Sequence, residues 1–440
     1  MLNTVPDDNL LLSNSSVVAL FEQTRKMSEW QCEPLLIEDY GLQAMPETSP
    51  AKWHLAHTTW FFETFLLKPH LKNYKPLNNK YEVLFNSYYN GIGPQHPRPK
   101  RGLLSRPSVD EVYAYRHYVN DAMLELLANE KLCTEEIIRK IILGCHHEQQ
   151  HQELFFTDLK YSWFQNPLYP EYSFSNKKLN DSKIKSKYKN DINRTDVWLD
   201  IISGLYEIGF NNNASSLIDG FCFDNELPAH KQYLEDVSLS KYLVTNAEYL
   251  MFMNDDGYNR SELWLSDGWA DLQSTKNKHS PLYWLKEGEQ WFEYSLHGLK
   301  LLNLNQPVCH LSAYEADAFA RWKGCRLPTE FEWEVFSSMS NSNDDGQFLE
   351  SEIFHPSAEI DDEPAVQGNL WQWTSSAYSP YPGYKAAKGA IGEYNGKFMC
   401  NQLVLRGGSC VTSLSHYRHS YRNFFYPPDQ WQFTGLRLAK

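Results

Sequence analysis

The sequence predicts two domains of different fold class, a helical bundle followed by a mixed α+β domain. Roughly the first 170 residues carry helical periodicity, whereas later segments alternate short β-like runs with Gly, Asn and Pro turns. Between them, residues 176–195 hold seven Lys or Arg against two Asp, a composition typical of a solvated linker. We therefore divide the 440 residues into a bundle (1–175), a linker (176–195) and an α+β domain (196–440).

Four amphipathic helices are predicted in the first domain, which indicates a bundle. A serine N-cap followed by proline starts the second helix, and a capping box starts the third. The third and second helices are separated by a long loop, 68–107, and long loops in compact domains are often functional. The predicted helices are 15–30, 49–69, 108–131 and a segment from 134 through the run HHEQQHQELFF.

The second domain begins with a β-like run, WLDIISGLYEIGF, and ends with a strand-like GLRLA. Its short helices open with capping boxes of the S/T-x-x-E type. There is no phosphate-binding glycine loop and no fixed-period repeat, so an irregular α+β domain is expected. The capping boxes pair Thr245 with Glu248, Ser312 with Glu315 and Thr329 with Glu332.

Composition disfavours several function classes. The net charge of −14 argues against a nucleic-acid or basic membrane-surface protein, and no run approaches the length of a membrane span. The N-terminus lacks a basic segment, so no signal peptide is expected. Eight scattered cysteines without a CxxC pair predict a reduced, cytoplasmic protein.

A pair of histidines on the fourth helix is the strongest local signal for chemistry. His147 and His151 lie four residues apart, on one face of a helix, where two imidazoles can bind one metal ion. The alternative is a pair of polar surface histidines. Leu143 and Leu154 flank the pair on the same face and favour an inward orientation.

The second helix offers a third ligand, either His54 or His57 in WHLAHTTWFF. Three histidines without a carboxylate leave coordination positions open. Such a site suits a redox iron that binds substrate and oxygen, or a zinc ion that activates water. The ligand set does not separate these two metals.

The long loop contains NSYYNGIGPQHPRPKRG, with two phenols that can donate protons, Tyr88 and Tyr89. Arg98 and Arg101 can hold a carboxylate bidentately. The alternative is a proline-pinned loop with solvated arginines. Near the C-terminus, aromatic side chains and an amide are clustered in the sequence. Such a cluster favours binding of a quaternary ammonium group, and the alternative is the edge of a β-rich core. This cluster comprises Asn423, Phe424 and Phe425.

Together these segments resemble the EgtB-type sulfoxide synthases of ergothioneine biosynthesis. The markers, in order along the chain, are SPAKWHLAH, HHEQQHQE, FDNELPAH, YLVTNAEY, LPTEFEWE, GNLWQWT and RGGS…RNFF…GLRLA. The resemblance implies a DinB-like four-helix bundle and a C-type-lectin-like domain similar to formylglycine-generating enzymes. It also implies an Fe(II) cofactor held by three histidines, which map to His57, His147 and His151.

The family joins a cysteine-type thiol to C2 of the hercynine imidazole, with O2, and leaves a sulfoxide. By this resemblance Gln150 faces the substrate pocket, and Asn423, Phe424 and Phe425 fall at hercynine-binding positions. The YY pair in the bundle loop is similar to one subgroup, which implies hydrogen delivery by a tyrosine and a preference for free cysteine over γ-glutamylcysteine.

The same resemblance makes Tyr88 and Tyr89 the candidate catalytic residues, and Arg98 and Arg101 the candidates for the cysteine carboxylate. Formylglycine-generating enzymes use two cysteines after the RGGS strand. This chain has Thr412 and Tyr417 at those offsets, so we do not expect sulfatase activation.

Several alternatives stay open at this point. A selenoneine synthase would use a selenosugar, and an ovothiol-type synthase would act on histidine itself. A DinB-like zinc hydrolase or thiol transferase would work without O2. A lectin-like binding module would carry a structural metal only.

Overall fold

The computed structural model describes residues 8–173, 197–211, 216–274, 279–339, 346–359 and 366–440. The predicted linker at 176–195 lies outside these residues. Within them, no helix is long and apolar enough to cross a bilayer. The chain forms two compact units, and each contains more than one stretch of sequence. The first comprises Met1–Ser162, Asn211–Cys222 and Ala387–Tyr394; the second comprises Trp163–Phe210, Phe223–Ala386 and Asn395–Lys440.

The first unit is built mainly of helices. In the described part of this unit, four helices are long enough to form a bundle, and short helical turns occupy the loops between them. Their bounds are α1 (Asp8–Trp30), α2 (Ala51–Phe62), a π-helical turn (Glu63–Leu67), α3 (Lys68–His70), α4 (Tyr81–Leu84), α5 (Val109–Ala128) and α6 (Glu135–Phe164), with 3-10 turns at Asp39–Gly41, Arg98–Leu103 and Ala390–Glu393.

The sequence signals predict two helix starts in this unit. The one at α5 is confirmed, and the one at α2 is wrong by one residue. The capping box predicted at the start of α5 is confirmed, because Ser108 accepts from the backbone of Glu111 and Glu111 accepts from that of Ser108. The N-cap of α2 is Pro50, not Ser49 as predicted, and it has no side-chain capping bond. The Ser49 hydroxyl instead accepts a hydrogen bond from Arg101.

A buried ion cluster joins the long helices. Glu148 of α6 is fully buried and accepts from Arg25 Nη1 of α1 at 2.6 Å and from Arg116 of α5. Arg25 also donates to Thr59 of α2 at 2.7 Å, so one cluster touches all four helices. Burial alone would raise the pKa of Glu148, but the two guanidinium groups hold it below its ordinary value. This cluster fixes the face that α6 turns toward the other helices.

The second unit contains several small sheets rather than one large one. The described residues form two antiparallel two-stranded sheets (β1-β4 and β2-β3), a three-stranded sheet and a four-stranded sheet with the order β10-β9-β8-β11. The strands are β1 (Trp198–Ile201), β2 (Gly204–Ile208), β3 (His230–Leu234), β4 (Val237–Ser240), β5 (Trp284–Glu287), β6 (Gln290–Ser295), β7 (Gly298–Leu301), β8 (Trp371–Ala377), β9 (Leu403–Arg406), β10 (Asn423–Phe425) and β11 (Thr434–Gly435).

Among the residues that the structure describes, four helices accompany these strands, and their sequence signals hold well. The capping boxes predicted at Thr245, Ser312 and Thr329 are all present. These boxes satisfy backbone N–H groups that would otherwise lack a partner in the first turn. The helices are α7 (Asn246–Asn254), α8 (Ser266–Ser274), α9 (Ala313–Trp322) and α10 (Glu330–Met339).

The core of the second unit lies where α10 packs on the two-stranded sheets β1-β4 and β2-β3. Trp333 and Phe336 of α10 contact a cluster of buried aliphatic residues that includes Ile201, Leu234 and Leu239. The mixed α+β class predicted for this part of the chain is therefore confirmed. The predicted strand at GLRLA is wrong in length, because β11 ends at Gly435. The residues after it bond to the backbone of β4 and of Val244, with an isolated bridge between Leu239 and Ala439.

Candidate metal centre

Three imidazoles converge in the first unit. His57 of α2 and His147 and His151 of α6 each offer one nitrogen, and these nitrogens all lie within 4.8 Å of one another. Nε2 of His57 lies 3.2 Å from Nε2 of His147. His57 and His147 are buried and His151 is partly buried. These are the three residues that the sequence resemblance singled out as metal ligands, and we treat that role as a proposal.

Local structure explains why the three rings meet. His147 and His151 are one helical turn apart on α6, as their spacing predicts. Gly144, one turn earlier, faces Phe61 and Phe62 of α2, and a Cβ there would lie 2.6 Å from the Phe62 ring. The absence of a side chain at this glycine therefore permits the close approach that brings α2 and α6 together.

The orientation of His57 is fixed by the backbone. Its Nδ1 donates to the carbonyl oxygen of Phe85 at 2.6 Å, which leaves Nε2 as the nitrogen with a lone pair. Trp53 stacks on the same imidazole, with ring centroids 4.6 Å apart and an angle of 9° between the planes. The Phe85 carbonyl holds the edge of the His57 imidazole and Trp53 holds its face, so the ring is preorganised to present Nε2.

The charge state of the cluster suits metal binding. Burial lowers the pKa of His147 to about 3. Burial, together with the neighbouring imidazoles, also holds the pKa values of His57 and His151 well below the ordinary value. All three rings are therefore neutral near pH 7, and the neutral imidazole is the form that coordinates a metal. Three convergent neutral nitrogens fit a first-row transition metal and leave positions for other ligands.

His54, the alternative third ligand, lies outside this triad. Its Nδ1 is 2.9 Å from Nδ1 of His151, and its Nε2 is 3.1 Å from Oδ2 of Asp158. Both nitrogens of His54 are thus engaged by protein groups. The structure places this histidine beside a triad member rather than within the triad.

The two arginines predicted for a carboxylate lie in different environments. Arg101 is 2% exposed, and its guanidinium lies 3.4 Å from the centroid of the Trp53 ring. It donates to the hydroxyls of Ser49 at 2.9 Å and Ser87 at 3.1 Å, and it makes no ion pair with a carboxylate among the described residues. Burial lowers the pKa of Arg101, which means that the uncompensated cation is costly there. Arg98 is exposed and donates to a backbone carbonyl.

The tyrosine pair lies in the same unit, with Tyr89 buried and Tyr88 partly buried. The rings of Tyr88 and Tyr89 are stacked with centroids 4.6 Å apart, and their hydroxyls are 3.5 Å apart. Asn86 bonds both backbone groups of Tyr89, which fixes the loop conformation. Tyr89 also contacts Trp60, a neighbour of His57 on α2, at 5.6 Å between centroids. Burial raises the pKa of both phenols, so both remain protonated at neutral pH.

Sequence reasoning missed two residues of this site, Glu393 and Tyr394. The Glu393 carboxylate accepts from the backbone N–H groups of Asn90 and Gly91, at 3.0 and 2.7 Å, directly after the tyrosine pair. The Tyr394 ring lies edge-on to His147 with centroids 5.6 Å apart, and its hydroxyl donates to Gln150 Oε1. Nothing in the local sequence AIGEY marks these residues as part of a helical unit.

The predicted ammonium-binding cluster lies in the second unit, on β10. The Phe424 ring stacks on Tyr378 with centroids 4.1 Å apart, whereas Phe425 meets Trp431 edge-on at 5.8 Å. The Asn423 side chain accepts from the backbone N–H of Phe424 at 2.9 Å. All three side chains of β10 are partly exposed. The role of these three residues in binding an ammonium group stays a prediction.

Comparison with known proteins assigns the second part of the chain. A sulfatase-modifying factor enzyme 1-like domain matches residues 185–362 and 365–440, which is more than half of the sequence. The chain belongs to this family. As a sulfatase-modifying factor enzyme 1-like protein, it carries the C-terminal domain type that the sequence motifs predict.

Curated relatives of this sulfatase-modifying factor enzyme 1-like protein include two hercynine oxygenases. That of Mycolicibacterium smegmatis is 28% identical over 249 residues, covering 51% of this chain and 57% of the relative. That of Mycobacterium tuberculosis is 30% identical over 240 residues, covering 49% and 55%. Ergothioneine biosynthesis protein 1 of Schizosaccharomyces pombe is 25% identical over 233 residues, covering 50% and 28%. The predicted resemblance to the ergothioneine-biosynthesis enzymes is confirmed, and the alignments span about half the length of the hercynine oxygenases.

Proposed function

We propose that the chain is an iron(II)- and O2-dependent enzyme that joins a cysteine-type thiol, free L-cysteine, to C2 of the hercynine imidazole. The product is a hercynyl-cysteine sulfoxide of ergothioneine biosynthesis. The reaction breaks the C2–H and S–H bonds and forms the C–S bond. One oxygen atom of O2 goes to the sulfoxide and the other to water. The buried histidine triad, in a chain similar to hercynine oxygenases, is the observation that carries this proposal.

The triad supplies the place for the metal. His57, His147 and His151 would hold iron through their imidazole nitrogens, and bound iron(II) supplies the oxygen-activating redox chemistry. Three protein ligands leave positions for the thiol and for the hercynine imidazole. Their proximity at one centre raises the effective concentration of sulfur near C2.

Arg101 is proposed to bind the cysteine carboxylate. The observation behind this is a buried guanidinium without a carboxylate partner in the described structure, held on Trp53 beside His57. A substrate anion would compensate the buried charge, and guanidinium binds carboxylate bidentately. Arg98, which is exposed and bonded to the backbone, has a weaker claim to this role.

The tyrosine pair is proposed to deliver hydrogen during the reaction. Both phenols keep their protons at neutral pH, so either can donate one. Gln150, held by Tyr394, would orient the imidazole of hercynine. Asn423, Phe424 and Phe425 are proposed to bind its carboxylate and trimethylammonium groups, because aromatic faces attract quaternary ammonium.

Three further assignments belong to the same proposal. The helical unit is assigned a DinB-like fold, on its four long helices and the HxxxH segment of α6. The division at the 176–195 linker is kept as a domain boundary. A cytoplasmic location is assigned because the eight cysteines include no CxxC pair and because the proposed substrates are small molecules.

The test is an aerobic assay of protein loaded with Fe(II) after metal removal. Hercynine, or histidine in a parallel set, is supplied with cysteine, γ-glutamylcysteine or a selenosugar in separate reactions, and oxygen uptake and product mass are recorded. We expect a sulfoxide with cysteine. A selenium-containing product would indicate selenoneine synthesis instead of the proposed function. A product from histidine would indicate ovothiol-type chemistry.

A matched control is the same protein loaded with Zn(II). It should neither consume oxygen nor form the sulfoxide. If oxygen uptake is absent with every donor while Fe(II) is bound, the proposed function is wrong. A zinc-loaded protein that hydrolyses or transfers thiols would then favour the hydrolase alternative.

A further inference from the structure

The contacts of His54 assign it a role that neither its sequence motif nor the comparisons provide. Its ring lies between His151 and the carboxylate of Asp158, with nitrogen contacts of 2.9 and 3.1 Å. His54 and Asp158 are 5% and 4% exposed, so water does not compete for these contacts. Asp158 also accepts from the backbone N–H of Ser49 at 2.8 Å, immediately before α2.

The proton positions in this chain of contacts follow from the chemistry of its two ends. An ionised carboxylate only accepts, so Nε2 of His54 carries the proton that faces Asp158. A neutral His54 then has a lone pair on Nδ1. That lone pair accepts a hydrogen bond from Nδ1–H of His151, which leaves the lone pair of His151 on Nε2.

We propose that Asp158 and His54 are positioning residues that fix the tautomer and the ring orientation of His151, so that His151 binds the metal through Nε2. The relay resembles in its logic the contact of His57, whose Nδ1 donates to the Phe85 carbonyl. Two of the three triad histidines are thereby oriented through Nδ1, one by the backbone and one by a side-chain relay. Partners of this kind raise ligand basicity and typically change metal affinity by about 10–100-fold.

This inference rests on metal binding at the triad and not on the substrates of the proposed function. Its test is therefore a binding and spectroscopic measurement on the full chain. Co(II) is titrated into metal-free wild type, His54→Phe, His54→Asn and Asp158→Asn, and affinities are obtained by competition with a chelator. Phenylalanine removes both contacts. Asparagine at position 54 keeps an acceptor near the place of Nδ1 and loses the link to Asp158.

We expect His54→Phe to weaken Co(II) binding by about 10–100-fold, His54→Asn to recover part of the affinity, and Asp158→Asn to lie between wild type and His54→Phe. A control variant, His117→Phe, removes an exposed imidazole on α5 of the same unit and should leave the affinity unchanged. Wild-type affinity in His54→Phe and Asp158→Asn would overturn the relay.

A second readout separates a relay from simple packing. Paramagnetic proton NMR of the Co(II) protein reports each N–H of a ligating imidazole as a shifted signal that disappears on exchange into D2O. The His151 signal should exchange slowly in wild type and rapidly or not be seen in His54→Phe. An unchanged set of slowly exchanging signals in that variant would overturn the assignment of Nε2. Failure of the sulfoxide assay with Fe(II) bound would refute the proposed function and leave these two Co(II) measurements standing.

Discussion

Tyr394 donates a hydrogen bond from its phenol to Oε1 of Gln150, although 244 residues separate the two along the chain. Gln150 precedes a triad histidine on α6, and the Tyr394 ring lies edge-on to His147. The side chains around the histidine triad therefore come from α6 and also from the distant segment that contains Tyr394. Three of the five predictions below concern groups around the histidine triad, and two concern buried ionisable groups elsewhere in the chain.

Replacement of His57 by alanine should abolish stoichiometric metal binding. One of three convergent nitrogens is lost, and alanine supplies no ligand atom in its place. Metal content after dialysis against Fe(II) or Co(II) measures this. His96→Ala removes a histidine from the long loop and is the control. Full occupancy in His57→Ala would return His54 as the third ligand.

Replacement of the tyrosine pair should redirect the reaction. Tyr88→Phe, Tyr89→Phe and the double variant keep the stacked rings and lose the protonated phenols. Loss of a positioned proton donor costs on the order of 100-fold in rate. We expect less sulfoxide and more cysteine sulfinic acid, measured by product mass per O2 consumed. Tyr118→Phe, which alters a phenol bonded to the backbone of Lys75, is the control. Unchanged sulfoxide yield in all three variants would refute the assignment.

Arg101 and Arg98 should differ sharply when each is changed to glutamine. A hydrogen bond to a charged group contributes about 1.5–3 kcal/mol, so Arg101→Gln should raise the KM for cysteine roughly 10–100-fold. Arg98→Gln should change it little, because that side chain is exposed and bonded to the backbone. Steady-state kinetics with varied cysteine measures both. Metal content is measured in parallel, since Arg101 also covers Trp53. Equal effects of the two changes would contradict the distinction.

Loss of one partner from the buried ion cluster should lower the stability of the fold. Glu148→Gln leaves Arg25 and Arg116 buried with a neutral neighbour, which should lower the free energy of unfolding by about 3–5 kcal/mol. Urea unfolding monitored by tryptophan fluorescence measures the change. Glu22→Gln, which removes an exposed i,i+4 pair with Lys26, should cost about 0.5 kcal/mol or less. Similar losses in the two variants would show that the cluster is not specifically stabilising.

Stability should fall in mild acid partly because of His416 in the second unit. Burial, with Arg418 as a further cause, holds the pKa of His416 well below its ordinary value. Below about pH 6.5 the unfolded chain takes up a proton that the folded chain does not, so the free energy of unfolding falls as pH falls.

The measurement is the difference in unfolding free energy between pH 7.5 and pH 5.5. In His416→Phe this difference should be smaller than in wild type by about 1.4 kcal/mol, since one proton is no longer taken up across one pH unit. The Phe223 and Tyr421 rings around the site make phenylalanine the best-matched replacement. Identical pH dependence in the two proteins would contradict the role of this histidine.

Much of the local structure was predictable because it depends on short sequence separations. The pairing of His147 with His151 follows from helical geometry, and the capping boxes at Ser108, Thr245 and Ser312 each need only four residues. Signals of this kind survive without knowledge of the tertiary fold.

The remaining features depend on contacts that no local pattern encodes. The motif WHLAH does not tell which histidine joins the triad and which bonds to Asp158, 104 residues away. The burial of Arg101 on Trp53 was hidden because both arginines lie in the same proline-rich loop. Glu393 and Tyr394 lay within a stretch read as part of the second domain. Each case is a tertiary contact that overrides a local expectation.

The segment Ala387–Tyr394 belongs to the first unit although it is encoded within the family-matched region. Side chains encoded in the two parts of the chain are therefore packed within one unit. A recombinant that combined the helical region of one relative with the family domain of another would have to preserve the fit of Glu393 to the backbone after the tyrosine pair. It would also need a phenol opposite Gln150. Exchange of either half alone is expected to require compensating substitutions in the other.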